Sequence, residues 1–522
     1  MSQQSLIPGR GRSFFSYARE DVPAGLVVFL VALPLCLGVA TASGAPPLSG
    51  LIAGIVGGLV IPILSRSPLS VAGPAAGLTV LVAAAIQELG YAAFLSSVVI
   101  AGLFQIGFGL LRLGLIAHFL PTAAIQGMLS AIGLIIILKQ IPHAIGYDKD
   151  FEGDEAFLEP DGHNTFNAIG DAWSSLTPGA IAVSLVGFAL ALAWPYLEKK
   201  LPKALPLPLG IVLFGVAVSL LAGPVPWLAL GPEHLVSLPP VTSVSDLGAL
   251  ITLPDFAAFS DSRVWQHGLI LALIASLETL LSIEAVDGLD PHRRISPTNR
   301  ELFAQGIGNT CSGLIGGIPV TSVIVRSSAN VHAGGQTRLA SMVHGALLLV
   351  GLLALGRALN HVPLAALAVV LILVGWKLNT PQIWKTMWAG GAAVFIPFAV
   401  TVAGIMATDL LKGTLLGAAV GLLFAIREQQ KNALLVTESE GRYLLTFLKD
   451  MTFLQKAALK EVLRKIPDGS YVVVDQRAAA FVDHDIEVLL SNYAAEAQSR
   501  DINFTLLKPS KAGKNAAILQ AS

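Results

Sequence analysis

Three stretches hold the residue types that could do chemistry in a chain otherwise made of long apolar runs. Two of them, SVAGPAAGLTVLVAAAI (residues 70–86) and IGGIPVTSVIVRSSAN (residues 315–330), share one design: a Gly/Pro break, then a short run able to form a helix. The first amides of such a helix have no partner within it. They belong to Ala75, Ala76 and Gly77 in the first stretch and to Thr321, Ser322 and Val323 in the second. A helix start also carries about half a positive charge, and unpaired N–H donors with partial positive charge suit a small oxyanion. Two such starts facing each other would hold an anion without a full cation, so that it can leave again. Small residues let backbone and ligand approach closely, and Thr79, Thr321 and Ser322 add hydroxyls. Gly and Pro also kink packed membrane helices with no ligand involved. The matched pair of breaks, each with hydroxyls, is what points to an anion site.

Two charges stand near these breaks. Arg326 is expected roughly two turns into the second short helix. There it can set the local potential, touch the anion, snorkel to the cytoplasmic surface or pair with a carboxylate. Glu278 lies in the third stretch, LIASLETLLSIEAVDG (residues 273–288). A carboxylate inside an apolar span is costly unless protonated, paired or cation-bound. Three roles fit Glu278: exchanging a proton, ligating Na+ with Thr279 and Ser282, or balancing Arg326. Either of the first two would couple anion movement to a cation. Glu284 and Asp287 are nearer the span end, solvated or paired with Arg293 and Arg294. Cys36, in ALPLCLG, either lines the cavity or simply packs.

Membrane helices must position these residues. The 522-residue chain is 54% hydrophobic and 13% charged, with a mean hydropathy of +0.71; average proteins carry about 25% charged residues. Apolar runs near 22–42, 49–64, 92–112, 116–139, 177–194, 205–223, 265–287, 301–315, 338–358, 362–376, 391–408 and 411–426, with the broken pieces 74–88 and 320–331, predict fourteen spans. Arg66, Arg112, Lys199, Arg293, Arg300, Arg338, Lys377 and Arg427 follow even-numbered spans, whereas the loop YDKDFEGDEAFLEPDGHN after the fifth is acidic. The positive-inside rule then places both termini in the cytoplasm. The broken pieces come third and tenth, the same place in each set of seven. An odd number of spans per half inverts the second half, and paired broken segments in inverted halves point to a transporter's binding site.

The expected organisation is a cytoplasmic segment (1–20), a polytopic all-α membrane domain (21–428), a small α/β domain (429–511) and a disordered tail (512–522). The α/β expectation rests on strands YLLTFLKD, SYVVVDQ and INFTLLKP alternating with helices FLQKAALKEVLRKI and DIEVLLSNYAAEAQSR. The polar N-terminus and the long first apolar run do not read as a cleaved signal. A net charge of −1 implies no nucleic-acid partner. No P-loop, nucleophile elbow or metal-spaced Cys/His cluster occurs, so the sequence supports neither an enzyme nor a cofactor beyond a coupling H+ or Na+. Cys36 and Cys311 lie in apolar runs and read as packing residues. His118, His143 and His344 read as packing histidines, and Trp376, Trp384 and Trp388 as interfacial anchors.

At this point the chain resembles a known family. DVPAGLVVFLVALPLCLGVA, ASGAPPLSGLIAG, SVAGPAAGLTV, NRELFAQGIGNTCSGLIGGIPVTSVIVRSSANVHAGGQT and PLAALAVVLILVGWKL match, in order, blocks of the sulfate permease (SulP, SLC26) anion transporters. The resemblance runs from about residue 13 to 428. It implies fourteen segments in a seven-plus-seven inverted repeat, with a core domain that holds the anion between the third and tenth helices. That core moves against a gate domain by an elevator-like motion, and many relatives are homodimers. The C-terminal piece is similar to a STAS domain. FVDHDIEVLL places His484 and Asp485 where the usual serine and glycine stand, which implies a dimer-contact or regulatory role rather than phosphorylation control. The resemblance is to a bacterial bicarbonate branch, hence an inner-membrane transporter of bicarbonate, with sulfate, chloride, nitrate or a dicarboxylate such as fumarate as rival substrates. Na+-coupled cyanobacterial relatives have Asp at the place of Glu278 and Thr near Ile324. Proton-coupled relatives have Glu, which tilts the expectation toward H+. The rivals are an uncoupled exchanger and an anion-responsive membrane scaffold.

Overall fold

Inside a bilayer every backbone N–H and C=O needs a protein partner, and helices dominate the membrane part of this chain accordingly. The computed structural model describes residues 14–115, 120–148, 169–170, 172–173, 176–197, 206–221, 225, 227–238, 251–354, 356–430 and 433–508. Two compact units result, Met1–Val420 and Gly421–Ser522. The proposed tail, His118, and most of the acidic loop after the fifth span lie outside the described residues.

The first unit runs α1 (Ala18–Ala42), α2 (Pro47–Leu59), α3 (Ile61–Ser65), β1 (Ala72–Pro74), α4 (Thr79–Leu89), α5 (Tyr91–Leu110), α6 (Thr122–Ile145), α7 (Pro178–Leu197) and α8 (Leu207–Leu221). It continues with α9 (Ser262–Leu289), α10 (Thr298–Leu314), β2 (Val320–Ser322), α11 (Ile324–His332), α12 (Leu339–Ala354), α13 (Leu364–Leu378), α14 (Pro381–Ala389), α15 (Ala392–Ala407) and α16 (Leu410–Gln430). Among the described residues, eight helical segments are long and apolar enough to cross a membrane, and four shorter apolar helices accompany them. Where the second span was read as one run it is two helices, α2 and α3, because Pro62 in the first turn of α3 has no N–H to continue the ladder. One set of contacts joins α1, α2 and α12, and α5 with α9 and α10; a second joins α6 with α7, α13 and α15.

Small residues set the helix spacing, as expected where lipid offers no hydrophobic drive for association. A Cβ on Gly306 would lie 2.5 Å from the Ile106 nitrogen and 2.7 Å from the Gly102 oxygen, so α10 and α5 meet backbone to backbone. Gly58 against Gly345 does the same for α2 and α12, and Gly133 against Gly375 for α6 and α13.

In the second unit, a sheet of order β3–β4–β5–β6 is built from Leu434–Ser439, Arg442–Phe447, Tyr471–Asp475 and Asn503–Leu507. The first pair is antiparallel and the other two are parallel. Helices α17 (Lys456–Lys465) and α18 (His484–Ser499) bury Leu459, Leu463, Ile486 and Leu490 with Leu445, Phe447, Val472 and Val474. Strand β3 was not expected. The tight turn that pairs it with β4 has positive φ at Glu440 (49°) and Gly441 (74°), a two-residue hairpin signal. His484 and Asp485 open α18, whose cap is Asp483 accepting the Asp485 amide.

His143 does more than pack. Its Nδ1 lies 2.7 Å from Asp148, whose other oxygen lies 2.6 Å from Nδ1 of His234. The Nε2 of His234 lies 3.3 Å from the Thr177 hydroxyl and 3.6 Å from Glu233. The buried carboxylate thus ties the end of α6 to the segment that follows α8. Burial would push the Asp148 carboxyl up, but the bonds to both imidazoles outweigh it and hold it below its ordinary 3.8. His234 is raised above its ordinary 6.5, chiefly by its hydrogen bond to Asp148. The His234 contribution is complete below its unfolded value and fades as pH rises through the folded one. That of Asp148 is present above its unfolded value and is lost as pH falls through the folded one. The clamp is therefore strongest between about pH 4 and pH 6.5. The unfolding temperature in detergent is expected to fall as pH rises from about 6 to 9, less steeply in Asp148→Asn and His234→Ala. Asp148→Asn should cost about 1–3 kcal/mol near pH 6. Parallel curves for all three proteins would remove the clamp from the pH response.

Candidate functional site

Both Gly/Pro breaks form short strands before their helices begin. β1 and β2 pair antiparallel, Ala72 with Ser322, Gly73 with Thr321 and Pro74 with Val320. Side chains of the breaks complete the junction. The Ser70 and Ser322 hydroxyls bond each other, the Val71 amide donates to the Ser327 hydroxyl (2.9 Å), and the Asn330 side-chain amide donates to the Leu69 carbonyl (2.9 Å). Asn309 of α10 reads both backbone groups of Val320, accepting its N–H at 2.6 Å and donating to its C=O at 2.9 Å. Asn309 also donates to Gln105 of α5 (2.7 Å), which donates to Ser276 of α9 (3.3 Å). The Thr279 hydroxyl accepts the Ser322 amide at 3.3 Å.

This pairing shifts the open amides relative to the sequence expectation. At the second break the Ser322 amide goes to Thr279, and the Val323 amide donates to the Val71 carbonyl at 3.0 Å. The first helical bond is from Ser327 to Val323, which leaves Ile324, Val325 and Arg326 with amides that have no protein acceptor among the described residues. At the first break Ala75 is an extended cap and Ala76–Leu78 form one 3-10 turn. The Leu78 amide donates to Ala75, so Ala76 and Gly77 hold the open donors there. Thr79 opens α4 with its hydroxyl buried and without a protein partner, whereas the Thr321 hydroxyl makes only a long 3.3 Å bond to the Ser322 carbonyl.

Glu278 reaches this site from the middle of α9 and is 8% exposed. A Cβ placed on Gly77 would lie 3.1–3.2 Å from its carboxyl atoms, so the carboxyl rests over the backbone at the start of α4. Gly77 and Glu278 line a cavity of about 30 Å³ with Ile274, Leu281, Asp409, Leu410 and Leu411, room for a water or two. Thr279 and Ser282 are buried on the same helix. Asp409 and the start of α16 were not expected there.

Arg326 sits in the first turn of α11, not two turns in, because β2 takes up the residues read as helix. It is 1% exposed, so it does not snorkel, and it forms no ion pair among the described residues, which removes the pairing with Glu278. A Cβ on Gly73 would overlap its guanidinium. Cys36 of α1 is 0% exposed, with its sulfur packed against Gly54 of α2. Asp21 and Asn309 were missed. Asp21 accepts the Gln336 and Thr337 amides at 2.6 and 3.0 Å and fixes the start of α12. A carboxylate and a side-chain amide inside apolar helices were the available signals.

Comparison with known proteins bears on what such a junction serves. The sulfate permease family profile matches residues 19–401. The chain belongs to the sulfate permease family. It is 28% identical over 420 residues to the putative sulfate transporter YvdB of Bacillus subtilis, covering 79% of this chain and 74% of that one. It is 27% identical over 378 residues to the bicarbonate transporter BicA of Picosynechococcus, covering 69% of this chain and 62% of that protein. The structure of the murine Slc26a9 anion transporter in its inward-facing state superposes with a TM-score of 0.66 at 16% identity, over 99% of this chain and 90% of that one, and shares the fold. This sulfate permease family member is therefore a multi-pass membrane transporter of anions and not an enzyme.

Because Asn309 satisfies both backbone groups of Val320, Asn309→Ala is expected to strand two buried polar groups, at about 1–3 kcal/mol each. Asn309→Asp keeps the acceptor for the Val320 amide and loses the donors, so its loss should be intermediate. Thermal unfolding in detergent measures both, and wild-type stability in Asn309→Ala would show that the strand does not depend on this residue.

Proposed function

We propose that this protein is a secondary transporter of bicarbonate, coupled to H+ through Glu278, in the bacterial inner membrane. One observation carries the reading: the Glu278 carboxyl lies against Gly77, at the open amides that start α4. An ionised carboxylate there occupies the positive end of the helix, and an anion needs the same amides. Protonation removes the competing charge, so anion and proton load together and leave together. The anion would lie between Ala76 and Gly77 on one side and Ile324 and Val325 on the other, with Arg326 raising the potential and Thr79 and Thr321 offering hydroxyls. Na+ ligated by Glu278, Thr279 and Ser282 would achieve the same neutralisation, and the gradient test below separates the two ions.

Bicarbonate is favoured by the resemblance to BicA. Sulfate is the rival, favoured by the name of the Bacillus relative. An elevator-like movement of the helices around the breaks against α6, α13 and α15 fits a cavity of about 30 Å³, too small for free passage and bounded by Asp409, Leu410 and Leu411. We further propose a homodimer with both termini cytoplasmic, and a STAS-like regulatory or dimer-contact role for the α/β unit.

The test is accumulation of 14C-bicarbonate and 35S-sulfate in proteoliposomes under an imposed H+ or Na+ gradient. Bicarbonate uptake driven by the H+ gradient is expected. Glu278→Gln should abolish the gradient-driven part while leaving exchange between bicarbonate pools, and Gly77→Leu should abolish both by displacing the carboxyl. Uptake in Glu278→Gln that still follows the H+ gradient would refute coupling at this residue. Sulfate carried in place of bicarbonate would overturn the substrate and keep the site.

A further inference from the structure

Arginines gather at one end of the first unit, around the short helix α3. Arg300, in the first turn of α10, donates its Nε to the Leu64 carbonyl at 2.6 Å, and Arg338 donates its Nη1 to the Pro62 carbonyl at 3.2 Å. Arg66 follows α3 directly, and Arg112 follows α5. Both take positive φ, 67° and 61°, at helix ends where glycine is the usual occupant. Capping explains part of this cluster, since cations stabilise the carbonyl end of a helix. It does not explain the rest. Both terminal nitrogens of Arg300 and the whole guanidinium of Arg112 have no acceptor among the described residues, and neither arginine forms an ion pair there. Glu301, the carboxylate next to Arg300 in sequence, is 1% exposed and accepts from Gln305 instead.

Arg112 and Arg300 line a cavity of about 460 Å³ with Leu64, Leu110, Asn299 and Phe303, a volume within the range of small-ligand sites. The Asn299 Oδ1 accepts the Gly114 amide at 2.8 Å and so fixes the turn that carries Arg112. Gly109 is also on the wall, and a Cβ there would lie 2.7 Å from the Phe303 nitrogen, so α5 and α10 meet backbone to backbone beside the cavity. Leu110 and Leu111 are 69% and 73% exposed at the end of a helix long enough to cross the bilayer. Acyl chains therefore reach the same helix end as the two arginines. We infer that this cavity binds the headgroup of an anionic phospholipid, with Arg112 and Arg300 on the phosphate and the acyl chains along Leu110 and Leu111. Guanidinium groups grip phosphate through paired N–H donors, and basic pockets between membrane helices take anionic headgroups. The positive-inside rule assigns this end to the cytoplasmic leaflet, whose surface is negative. Charge complementarity selects a lipid with net negative charge over a zwitterion, whose own ammonium group is repelled by the arginines. A headgroup held there ties α5 and α10 to α3, the helix that leads into β1.

Native mass spectrometry of the full-length protein in detergent tests this, with phosphatidylglycerol and phosphatidylcholine of the same acyl chains as probes. Phosphatidylglycerol is expected to bind about tenfold more tightly. One arginine near a lipid surface is worth roughly a fivefold factor. Arg112→Gln should therefore weaken phosphatidylglycerol about fivefold, and the double variant with Arg300→Gln about twentyfold, with phosphatidylcholine unchanged. Leu110→Glu places a carboxylate at the exposed rim and should weaken phosphatidylglycerol at least as much as Arg112→Gln. It leaves the bond from Arg300 to Leu64 intact, and so covers the case in which the double variant does not fold. Arg293→Gln removes an exposed arginine that does not line the cavity and should stay within about twofold of wild type. Equal binding of the two lipids, or undiminished phosphatidylglycerol binding in both Arg112→Gln and Leu110→Glu, would overturn the inference. An equal loss in Arg293→Gln would overturn it too, by assigning the effect to net charge alone. Displacement of phosphatidylglycerol by inorganic phosphate would overturn the lipid as ligand and assign the arginines to a soluble phosphate.

Discussion

The three-residue pairing of β1 with β2 is the constraint on which the rest of the membrane unit depends. Two helices are broken inside a chain segment where hydrocarbon offers no hydrogen bonds, and each orphaned backbone group would cost several kcal/mol. The breaks answer each other: Ala72, Gly73 and Pro74 lie opposite Ser322, Thr321 and Val320. Pro74 has no N–H to satisfy, and Gly73 leaves space for a neighbouring guanidinium. What the strands do not satisfy is supplied by Asn309, Thr279, Ser327 and Asn330. Among the described residues the amides just beyond the strands are left open, and those that start α4 lie at the Glu278 carboxyl. Polar residues that look scattered along α9, α10 and α11 therefore share one task.

Much of this was legible in the sequence, for identifiable reasons. Bilayer thickness fixes helix length and excludes charge, so the apolar runs returned as helices wherever they are described. Clustered Gly and Pro in the third and tenth places marked the breaks; single prolines such as Pro23 and Pro34 lie inside α1, so it was the matched placement of the two clusters that carried the signal. The pairing itself was hidden. Three-residue strands give no alternation to read, and their partner lies about 250 positions away in sequence. From that one omission two errors followed: the open amides of the second break were placed too early, at Thr321 to Val323, and Arg326 was placed too deep. Strand β3 was missed for a different reason. LLVTES is mostly exposed, so it lacks the buried alternation that marks β5, while the Glu440–Gly441 turn carried the signal that was overlooked.

The separation of the two buried charges bears on function more than either charge alone. Arg326 and Glu278 sit on neighbouring elements and do not pair with each other. Had they paired, the desolvation of both would have been partly offset, the carboxyl would be pinned, and the start of α11 would have lost its positive field. Kept apart, the guanidinium raises the potential beside one set of open amides and the carboxyl rests on the other. On the proposed reading, an arriving anion would meet a fixed attraction on one side and a removable competitor on the other. Removing that competitor requires a proton or a metal cation and not a rearrangement of the fold. If the proposed coupling holds, it is a property of where Gly77 lets Glu278 lie: the absence of one Cβ would let one carboxyl and one anion contend for the same two amides.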